Sequence, residues 1–338
     1  MLTLILYTGF ILSLSISVLV MPIIIRITEK KGLMENNDYR KIHTEKVSTL
    51  GGIGIFSAFL MAVLPAVSAG YYKALLVPVM AMPLLITGVL DDLYNVSVRK
   101  RLTLQIALGI VLYGMGLKMY LPGMPWGIEL FATVFFTVAL INAYNLIDGI
   151  NGLAGGLGAI GSFSFGVWFL LHGSAEMAYL AFALTGALAG FLSFNFGKKA
   201  KIFMGDNGST VVGFSLAVMI LEAIQTDMGS SAYLPNLVWG VICIPMVDAF
   251  KVAVFRVIRK QSPFYGDRTH IHHLLTDSLL SHPVACLVLY GLEILLIGAS
   301  FFYQESFWIF VALSIPVPYL VAGLIRRSPL TASEPVSA

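Results

Sequence analysis

The amino-acid sequence predicts an all-α, polytopic integral membrane protein. Of its 338 residues, 58% are hydrophobic and only 12% are charged, and the mean hydropathy is +0.86. Apolar segments of about 20 residues, the length that crosses a bilayer as a helix, recur along the whole chain. A soluble domain of this composition would expose large apolar patches and aggregate. We therefore expect one transmembrane domain over residues 1–327 and a disordered, Ser- and Pro-rich cytoplasmic tail over 328–338.

Apolar runs separated by polar breaks predict about eleven transmembrane helices. These cover residues 3–25, 50–69, 74–90, 102–118, 128–146, 155–172, 177–195, 209–225, 234–256, 283–301 and 307–325. The first run lacks a basic start and a small-residue cleavage site, so we interpret it as a retained helix rather than a signal peptide.

The basic residues lie almost entirely in alternate connections between these spans. Of the 21 lysines and arginines, only Lys73 and Lys118 fall in the other set of connections. Because basic loops remain on the cytoplasmic side, this bias predicts an N-terminus outside and a C-terminus in the cytoplasm. The cytoplasmic connections also contain nearly all the polar motifs, so we expect the chemistry of the protein on that face.

The third predicted span ends in two adjacent carboxylates, Asp91 and Asp92. Adjacent acids repel each other, and a cation or a proton commonly separates them. The pair therefore indicates a metal site at the membrane surface. The alternative is an ordinary helix end, anchored among lipid head groups by the basic run at 99–101.

Amides and one carboxylate recur every three residues at the end of the fifth span: Asn142, Asn145, Asp148 and Asn151. This spacing predicts a polar stripe along one helix face. Polar side chains at membrane depth are costly unless they face a cavity or a partner, so the stripe indicates a ligand site. The alternative is a capped helix end with a glycine-rich turn. The Gly156-x-Gly158-x-x-Gly161 pattern that follows has no preceding strand and predicts helix packing rather than dinucleotide binding.

The connection before the eighth span combines three lysines with a Gly-Asp turn. Lys198, Lys199 and Lys201 precede Phe203-Met-Gly-Asp206-Asn-Gly-Ser. Lysines attract phosphates, and the Asp206 carboxylate is a hard oxygen ligand that suits Mg²⁺. A solvated basic loop would account for the lysines but not for Asp206.

The last basic connection gathers an arginine and three histidines: Arg268, His270, His272 and His273. Such a cluster binds zinc or donates hydrogen bonds to phosphate oxygens. We favour the phosphate role because no cysteine or further histidine lies nearby to complete a closed zinc shell. Within the ninth span, Asp248 is predicted to be a structural partner for a base such as Lys251 or Arg256.

The four motifs together resemble the polyprenyl-phosphate N-acetylhexosamine-1-phosphate transferase superfamily, also called glycosyltransferase family 4. The resemblance covers nearly the whole chain, in motif order and in topology. The His-Ile-His-His form is similar to the branch that uses UDP-N-acetylglucosamine and undecaprenyl phosphate. Two positions depart from the family pattern, because Asn95 replaces the third acid of a common Asp-Asp-x-x-Asp motif and Asn151 replaces a frequent aspartate.

The resemblance implies a transferase of the bacterial inner membrane with its active site on the cytoplasmic face. Its substrates would be a UDP-sugar and undecaprenyl phosphate, drawn from the membrane lipid, and UMP would be released. The expected cofactor is Mg²⁺, with Mn²⁺ as an alternative. The product would start a lipid-linked surface glycan such as lipopolysaccharide or teichoic acid. We expect no nucleic-acid partner, and a homodimer is compatible with this interpretation.

The resemblance also implies roles for individual residues. The expected metal ligands are Asp206, Asp91 and Asp92. The expected catalytic residues are these three acids with Asp148 and His270. The expected substrate-binding residues are Lys41, His43, Asn142, Asn145, Asn151, Phe203, Arg268, His272 and His273.

Three alternatives stay open at this point. The same reaction with another UDP-N-acetylhexosamine would use the same motifs. A multi-pass transporter would carry its polar residues through the bilayer midplane, whereas here they gather at one surface. A non-catalytic membrane scaffold would need no such convergence of acids.

Overall fold

A computed structural model describes residues 2–33, 47–68, 70–197, 199–231, 233–258, 270–278, 280–303 and 306–327. Every regular element within these ranges is a helix, and the extended backbone there pairs in an isolated bridge between Ser48 and Ile202. The all-α prediction is therefore confirmed for this part of the chain. Lys41, His43, Arg268 and the 328–338 tail lie outside the described residues.

The chain divides into two compact units, Met1–Ser230 and Ser231–Ala338. The first unit contains α1 (Leu2–Lys31), α2 (Gly51–Ser68), α3 (Tyr72–Tyr94), α4 (Val98–Gly114), α5 (Trp126–Ile147), α6 (Leu153–Leu171), α7 (Ala175–Asn195) and α8 (Asp206–Asp227). The second contains α9 (Leu234–Ile258), α10 (Ile271–Thr276), α11 (His282–Ser300), α12 (Phe307–Ser314) and α13 (Val317–Arg327). The single domain expected over residues 1–327 stays a prediction.

Nine helical segments among the described residues are long and apolar enough to cross a membrane. Helices α4 and α9 coincide with the two remaining predicted spans, and α12 with α13 covers the last one. Large apolar side chains such as Leu19, Phe131 and Leu295 are each 69% exposed, as expected for surfaces that face lipid. The polytopic class is confirmed, whereas the count of eleven stays a prediction.

Helix α8 is the central helix of the first unit. It packs against α2, α3, α5 and α6, and most of its side chains are buried. A helix that is apolar on all sides is expected in such a position. Its first residue, Asp206, therefore lies where the C-terminal ends of α3 and α5 meet it.

Helix α5 ends at Ile147, before the predicted polar stripe is complete. Asp148 follows as the C-cap, and Gly152 has a φ of 94° where the chain turns into α6. Glycine adopts this left-handed conformation readily, so the turn interrupts the helix. The prediction of one helical stripe reaching Asn151 is therefore wrong, and Asn151 donates its amide to the carbonyl of Gly197 at 3.1 Å.

Candidate active site

Three carboxylates and one guanidinium meet at the N-terminal end of α8. We call Asp91, Asp92, Asp206, Arg101 and Asn145 the acid cluster. Nη1 of Arg101 donates to Asp206 Oδ2 at 2.6 Å and also donates to Asp91. The amide of Asn145 donates to the other oxygen of Asp206 at 2.8 Å. Segments that are far apart in the sequence thus build one polar centre at the start of α8.

Asp92 fixes the first turn of α8 against the end of α3. Its carboxylate accepts hydrogen bonds from the backbone N–H of Asp206 at 3.3 Å and of Asn207 at 3.5 Å, and from the Asn207 side chain. The first N–H groups of a helix have no partner within the helix, and the positive end of its dipole favours a carboxylate. Asp92 therefore caps α8 from another helix.

Two glycines allow this close approach of α3 and α8. A Cβ atom at Gly88 would lie 2.5 Å from the backbone nitrogen of Asn207. Gly205, the N-cap of α8, has a φ of 70°, and a Cβ there would lie 2.7 Å from Asp92 Oδ2. Side chains at these positions would separate the carboxylates from the start of α8.

The segment before α2 binds the loop that leads into α8. The backbone N–H of Phe203 donates to Ser48 at 2.8 Å, and that of Gly51 donates to Phe203 at 2.9 Å. Asn207 donates its side-chain amide to the carbonyl of Thr49 at 2.8 Å. These bonds hold the half-buried Phe203 next to the start of α8, and its predicted contact with the nucleotide stays a prediction.

The other members of the predicted stripe have separate surroundings. Asn142 donates to the buried Gln105 at 2.6 Å and to the carbonyl of Val138 at 2.7 Å. Asp148 is half-buried at the end of α5, one turn beyond Asn145. The structure therefore brings Asn145 into the acid cluster, whereas Asn142 joins α5 to α4.

The composition of the acid cluster suits a divalent cation. Carboxylate oxygens are the ligands that Mg²⁺ prefers. The cluster contains three carboxyl groups and one guanidinium, so its positive charge is smaller than the negative charge that three ionised carboxylates would carry. The side chains of Arg101 and Asp206 are 30% and 31% exposed, so the cluster is accessible from outside the unit. Within the described ranges, no three His, Cys, Asp or Glu side chains already form a metal cage, and Arg101 lies between two of the acids.

The histidines of the second unit form a stacked group next to Asp248. The rings of His270 and His272 lie 5.4 Å apart at an interplanar angle of 14°, and His272 is 4.3 Å from His273. Burial lowers the pKa of His272 to about 3, so this ring is neutral at physiological pH. Asp248, predicted to pair with a base in its own helix, accepts a hydrogen bond from His270 at 2.6 Å.

Sequence reasoning missed three residues of these two sites. The sequence places Arg101 only within a basic run at a helix end, gives no prominence to Gln105, and indicates for Asp248 only the bases of its own helix. A signal was present for the first two, because Arg101 and Gln105 are polar residues one helical turn apart at the start of an apolar helix. No such signal links Asp248 to a histidine 22 residues later.

The departure from the family pattern at Asn95 also has a structural reason. Asn95 ends α3 with a φ of 54° and a ψ of 78°, and its N–H donates to the carbonyl of Asp91. Asparagine tolerates this left-handed conformation better than most residues. Asn95 thus closes the helix that carries the two acids.

Comparisons with known proteins agree with these motifs. Residues 74–224 match the family described as glycosyl transferase family 4. A probable undecaprenyl-phosphate N-acetylglucosaminyl 1-phosphate transferase of Bacillus subtilis (strain 168) is 33% identical over 294 residues, which are 83% of this chain and 80% of the relative. An undecaprenyl-phosphate alpha-N-acetylglucosaminyl 1-phosphate transferase of Escherichia coli (strain K12) is 33% identical over 267 residues, 74% of this chain and 71% of the relative.

A Salmonella typhi protein with the same name as the Escherichia coli one is 28% identical over 321 residues, 90% of this chain and 86% of the relative. These relatives span most of the chain, and their similarity extends beyond the part that the family model matches. Together with the apolar helices, they make this chain a multi-pass membrane protein. The resemblance seen in the motifs is confirmed, and the chain belongs to glycosyl transferase family 4.

Proposed function

We propose that this protein transfers N-acetylglucosamine 1-phosphate from UDP-N-acetylglucosamine to undecaprenyl phosphate and releases UMP. The product would start a lipid-linked surface glycan. The observation that carries the proposal is the acid cluster, in which Arg101 bridges Asp91 and Asp206, and Asp92 accepts from the backbone N–H of Asp206. The names of the relatives support the choice of lipid and sugar. Another UDP-N-acetylhexosamine remains the alternative donor.

In the proposed reaction, an oxygen of the lipid phosphate attacks the β-phosphorus of the UDP-sugar. A new P–O bond to the lipid phosphate forms, and the bond between the β-phosphorus and the bridging oxygen breaks. That oxygen leaves with UMP. Because both substrates are anionic, the main task of the protein is to position them and to offset their charge.

Asp206, Asp91 and Asp92 would hold the Mg²⁺ ion, with Mn²⁺ as an alternative. When bound, the ion supplies positive charge that offsets the charge of the diphosphate. The two acids bridged by Arg101 already accommodate a cation between them, which supports this assignment. Asp92 has the additional task of capping α8, so its loss would displace Asp206 as well.

The remaining residues of the cluster have distinct tasks in this proposal. Asn145 holds one oxygen of Asp206 and leaves the other directed at Arg101. Arg101 restrains the acids and presents a guanidinium that can donate to phosphate oxygens.

The other predicted roles are part of the same proposal. Nucleotide or sugar contacts fall to Asp148, Asn142, Asn151, Phe203, Lys41 and His43. Contacts with the diphosphate or the sugar fall to Arg268, His270, His272 and His273, with His270 the catalytic member.

We also propose how the chain crosses the membrane. Eleven spans would place the N-terminus outside and the C-terminus in the cytoplasm, with the acid cluster at the cytoplasmic face of the bacterial inner membrane. The distribution of lysine and arginine supports this orientation. The lipid would enter from the bilayer and the nucleotide from the cytoplasm.

The test is a reaction with purified protein, undecaprenyl phosphate, Mg²⁺ and a panel of UDP-sugars. We expect UMP release that requires the lipid, and a lipid product whose mass increases by one N-acetylhexosamine 1-phosphate unit. Removing the divalent ion with a chelator should stop the release, and adding it back should restore it. If no UDP-sugar yields a lipid product, the proposal is wrong, and transport assays in proteoliposomes become the next measurement.

A further inference from the structure

A buried carboxylate in the second unit holds the first histidine of the cluster. The side chains of Asp248 and His270 are 2% and 7% exposed, and Asp248 Oδ2 lies 2.6 Å from His270 Nδ1. Oδ1 accepts hydrogen bonds from the backbone N–H of Ile271 and from the hydroxyl of Tyr319, each at 2.7 Å. Asp248, which lies in α9, thus binds His270 at the N-cap of α10, Ile271 within α10 and Tyr319 in α13.

This arrangement determines which ring nitrogen of His270 carries a hydrogen. An ionised carboxylate only accepts hydrogen bonds, so Nδ1 must be the donor. Nε2 is then the ring nitrogen that remains for another partner. His270 is also the N-cap of α10, and the same carboxylate binds the N–H of the next residue. One side chain therefore fixes both the tautomer and the backbone position of His270.

The described groups around Asp248 and His270 support the hydrogen bond between them. Nζ of Lys251 lies 3.9 Å from the centroid of the Tyr319 ring, a cation–π contact that restrains the tyrosine. His272 stacks on His270 and is neutral because burial lowers its pKa, and His273 and His282 act on His272 in the same direction. Asp248 thus faces His270 on one side and the Tyr319 hydroxyl on the other, and His270 is stacked on a neutral ring.

We propose that Asp248 is a positioning residue, which holds His270 as the Nδ1–H tautomer so that the lone pair of Nε2 faces the substrate and accepts the hydrogen of a protonated phosphate oxygen. This inference rests on the proposed function, because it assumes that His270 contacts substrate. Asp248 itself touches none of the reacting atoms. A carboxylate that orients an imidazole in this way is a recurring device, and its replacement by an amide elsewhere lowers the rate by about 10⁴-fold.

The first test observes the tautomer directly. An amide in the Asp248→Asn variant can still accept from Ile271 and Tyr319, but its NH₂ group would face Nδ1 of His270 and force the Nε2–H tautomer. We expect this change in the ring ¹⁵N shifts of histidine-labelled protein, with the His270 signals identified by their loss in His270→Gln. The chain has 6 histidines, and His172, whose Nδ1 lies 2.8 Å from the carbonyl of Trp168, provides an internal reference that should not change.

The second test measures turnover with UDP-N-acetylglucosamine and undecaprenyl phosphate. We expect kcat to fall by about 100-fold or more in Asp248→Asn, and by several-fold in Tyr319→Phe, which keeps the tautomer but removes one support. The matched control is Ser314→Ala, which removes a buried hydrogen bond from Trp239 at 2.7 Å in the same unit and should leave kcat within about 2-fold. Melting temperatures identify any variant that fails to fold, and Tyr319→Phe then carries the test.

The outcomes separate this inference from the proposed function. Unchanged His270 shifts in Asp248→Asn, or wild-type kcat in a variant whose tautomer has changed, would overturn the positioning role. If the wild-type protein releases no UMP with the lipid, the proposed function fails, while the ring spectra still decide whether Asp248 sets the tautomer.

Discussion

The two ends of the first unit contain the same types of charged residue in different arrangements. At the end opposite the acid cluster, which we call the far end, each of two acids is paired with its own lysine. Glu222 lies 3.2 Å from Lys73, and Glu129 lies 2.6 Å from Lys118. In the acid cluster, Asp91 and Asp206 share a single arginine, and Asp92 beside them accepts from the backbone N–H groups at the start of α8. A one-to-one pair is complete without a ligand, whereas acids that share one cation leave negative charge that a further cation can offset.

The same helices connect the two ends, so each end is a control for the other. Helix α8 begins with Asp206 and carries Glu222 near its last turn, and α5 carries Glu129 in its first turn and Asn145 near its end. At 1.5 Å per residue, the two residues of each helix lie about 24 Å apart. A substitution that acts only through helix stability should therefore have similar effects at both ends, whereas a catalytic one should not.

The largest effect is expected for Asp206→Asn. The change keeps the volume of the side chain but removes the negative charge that binds Arg101 and would bind the metal ion. We expect lipid-dependent UMP release to fall by about 100-fold or more, and we expect Mg²⁺ to raise the melting temperature of the wild type but not of this variant. Both quantities can be measured on the same purified protein.

The control for this variant is Glu222→Gln, near the other end of α8. It makes the same carboxyl-to-amide change in an acid that is paired with Lys73. Turnover should stay within about 2-fold of the wild type, because exposed ion pairs contribute little. Equal losses at both ends would show that the acid cluster has no special role.

The second largest effect is expected for Arg101→Gln. Without the guanidinium, Asp91 and Asp206 lose the cation between them, so the protein should bind Mg²⁺ with a larger increase in melting temperature than the wild type. Turnover should nevertheless fall by at least about 10-fold, because the arginine also donates to phosphate. Arg99→Gln, two residues earlier and exposed, is the matched control. A variant with an unchanged response to Mg²⁺ would contradict the view that Arg101 shares the cation site.

The comparison also explains what the sequence could predict. Asp91, Asp92 and Asp206 were identified because acids at the ends of apolar spans are rare and costly, and the order of motifs matched a family. Arg101 was not, because a basic run at a span end is common, and only the folded structure, in which Arg101 binds Asp91 and Asp206, distinguishes it from the exposed Arg99. The interruption after α5 depends on the conformation of Gly152, which spacing alone does not reveal.

A third, smaller effect is expected for Gly88→Ala, which tests whether the acid cluster needs the close contact of α3 with α8. The added Cβ would meet backbone atoms of Asp206 and Asn207, which cannot rotate away as a side chain could. We expect a loss of about 1–3 kcal/mol in the free energy of unfolding and a several-fold decrease in turnover. Gly114→Ala, at a helical position with open space around it, should change neither. Equal stability of the two variants would argue against tight packing at Gly88.

The smallest effect is expected for Lys118→Met at the far end. The hydrogen bond from Lys118 to Glu129 raises the pKa of the lysine, so the pair is charged at any pH at which the protein would be assayed. The lysine side chain is 34% exposed, however, and solvent screens its charge. The connection also stays fixed without the charge, because Gln225 donates to the backbone carbonyl of Lys118 at 2.6 Å. We therefore expect unchanged turnover, an unchanged response to Mg²⁺ and a decrease of at most a few degrees in melting temperature, which differential scanning fluorimetry would measure. A loss of activity here would mean that the far end takes part in catalysis, and the contrast between balanced pairs and shared acids would no longer locate the active site.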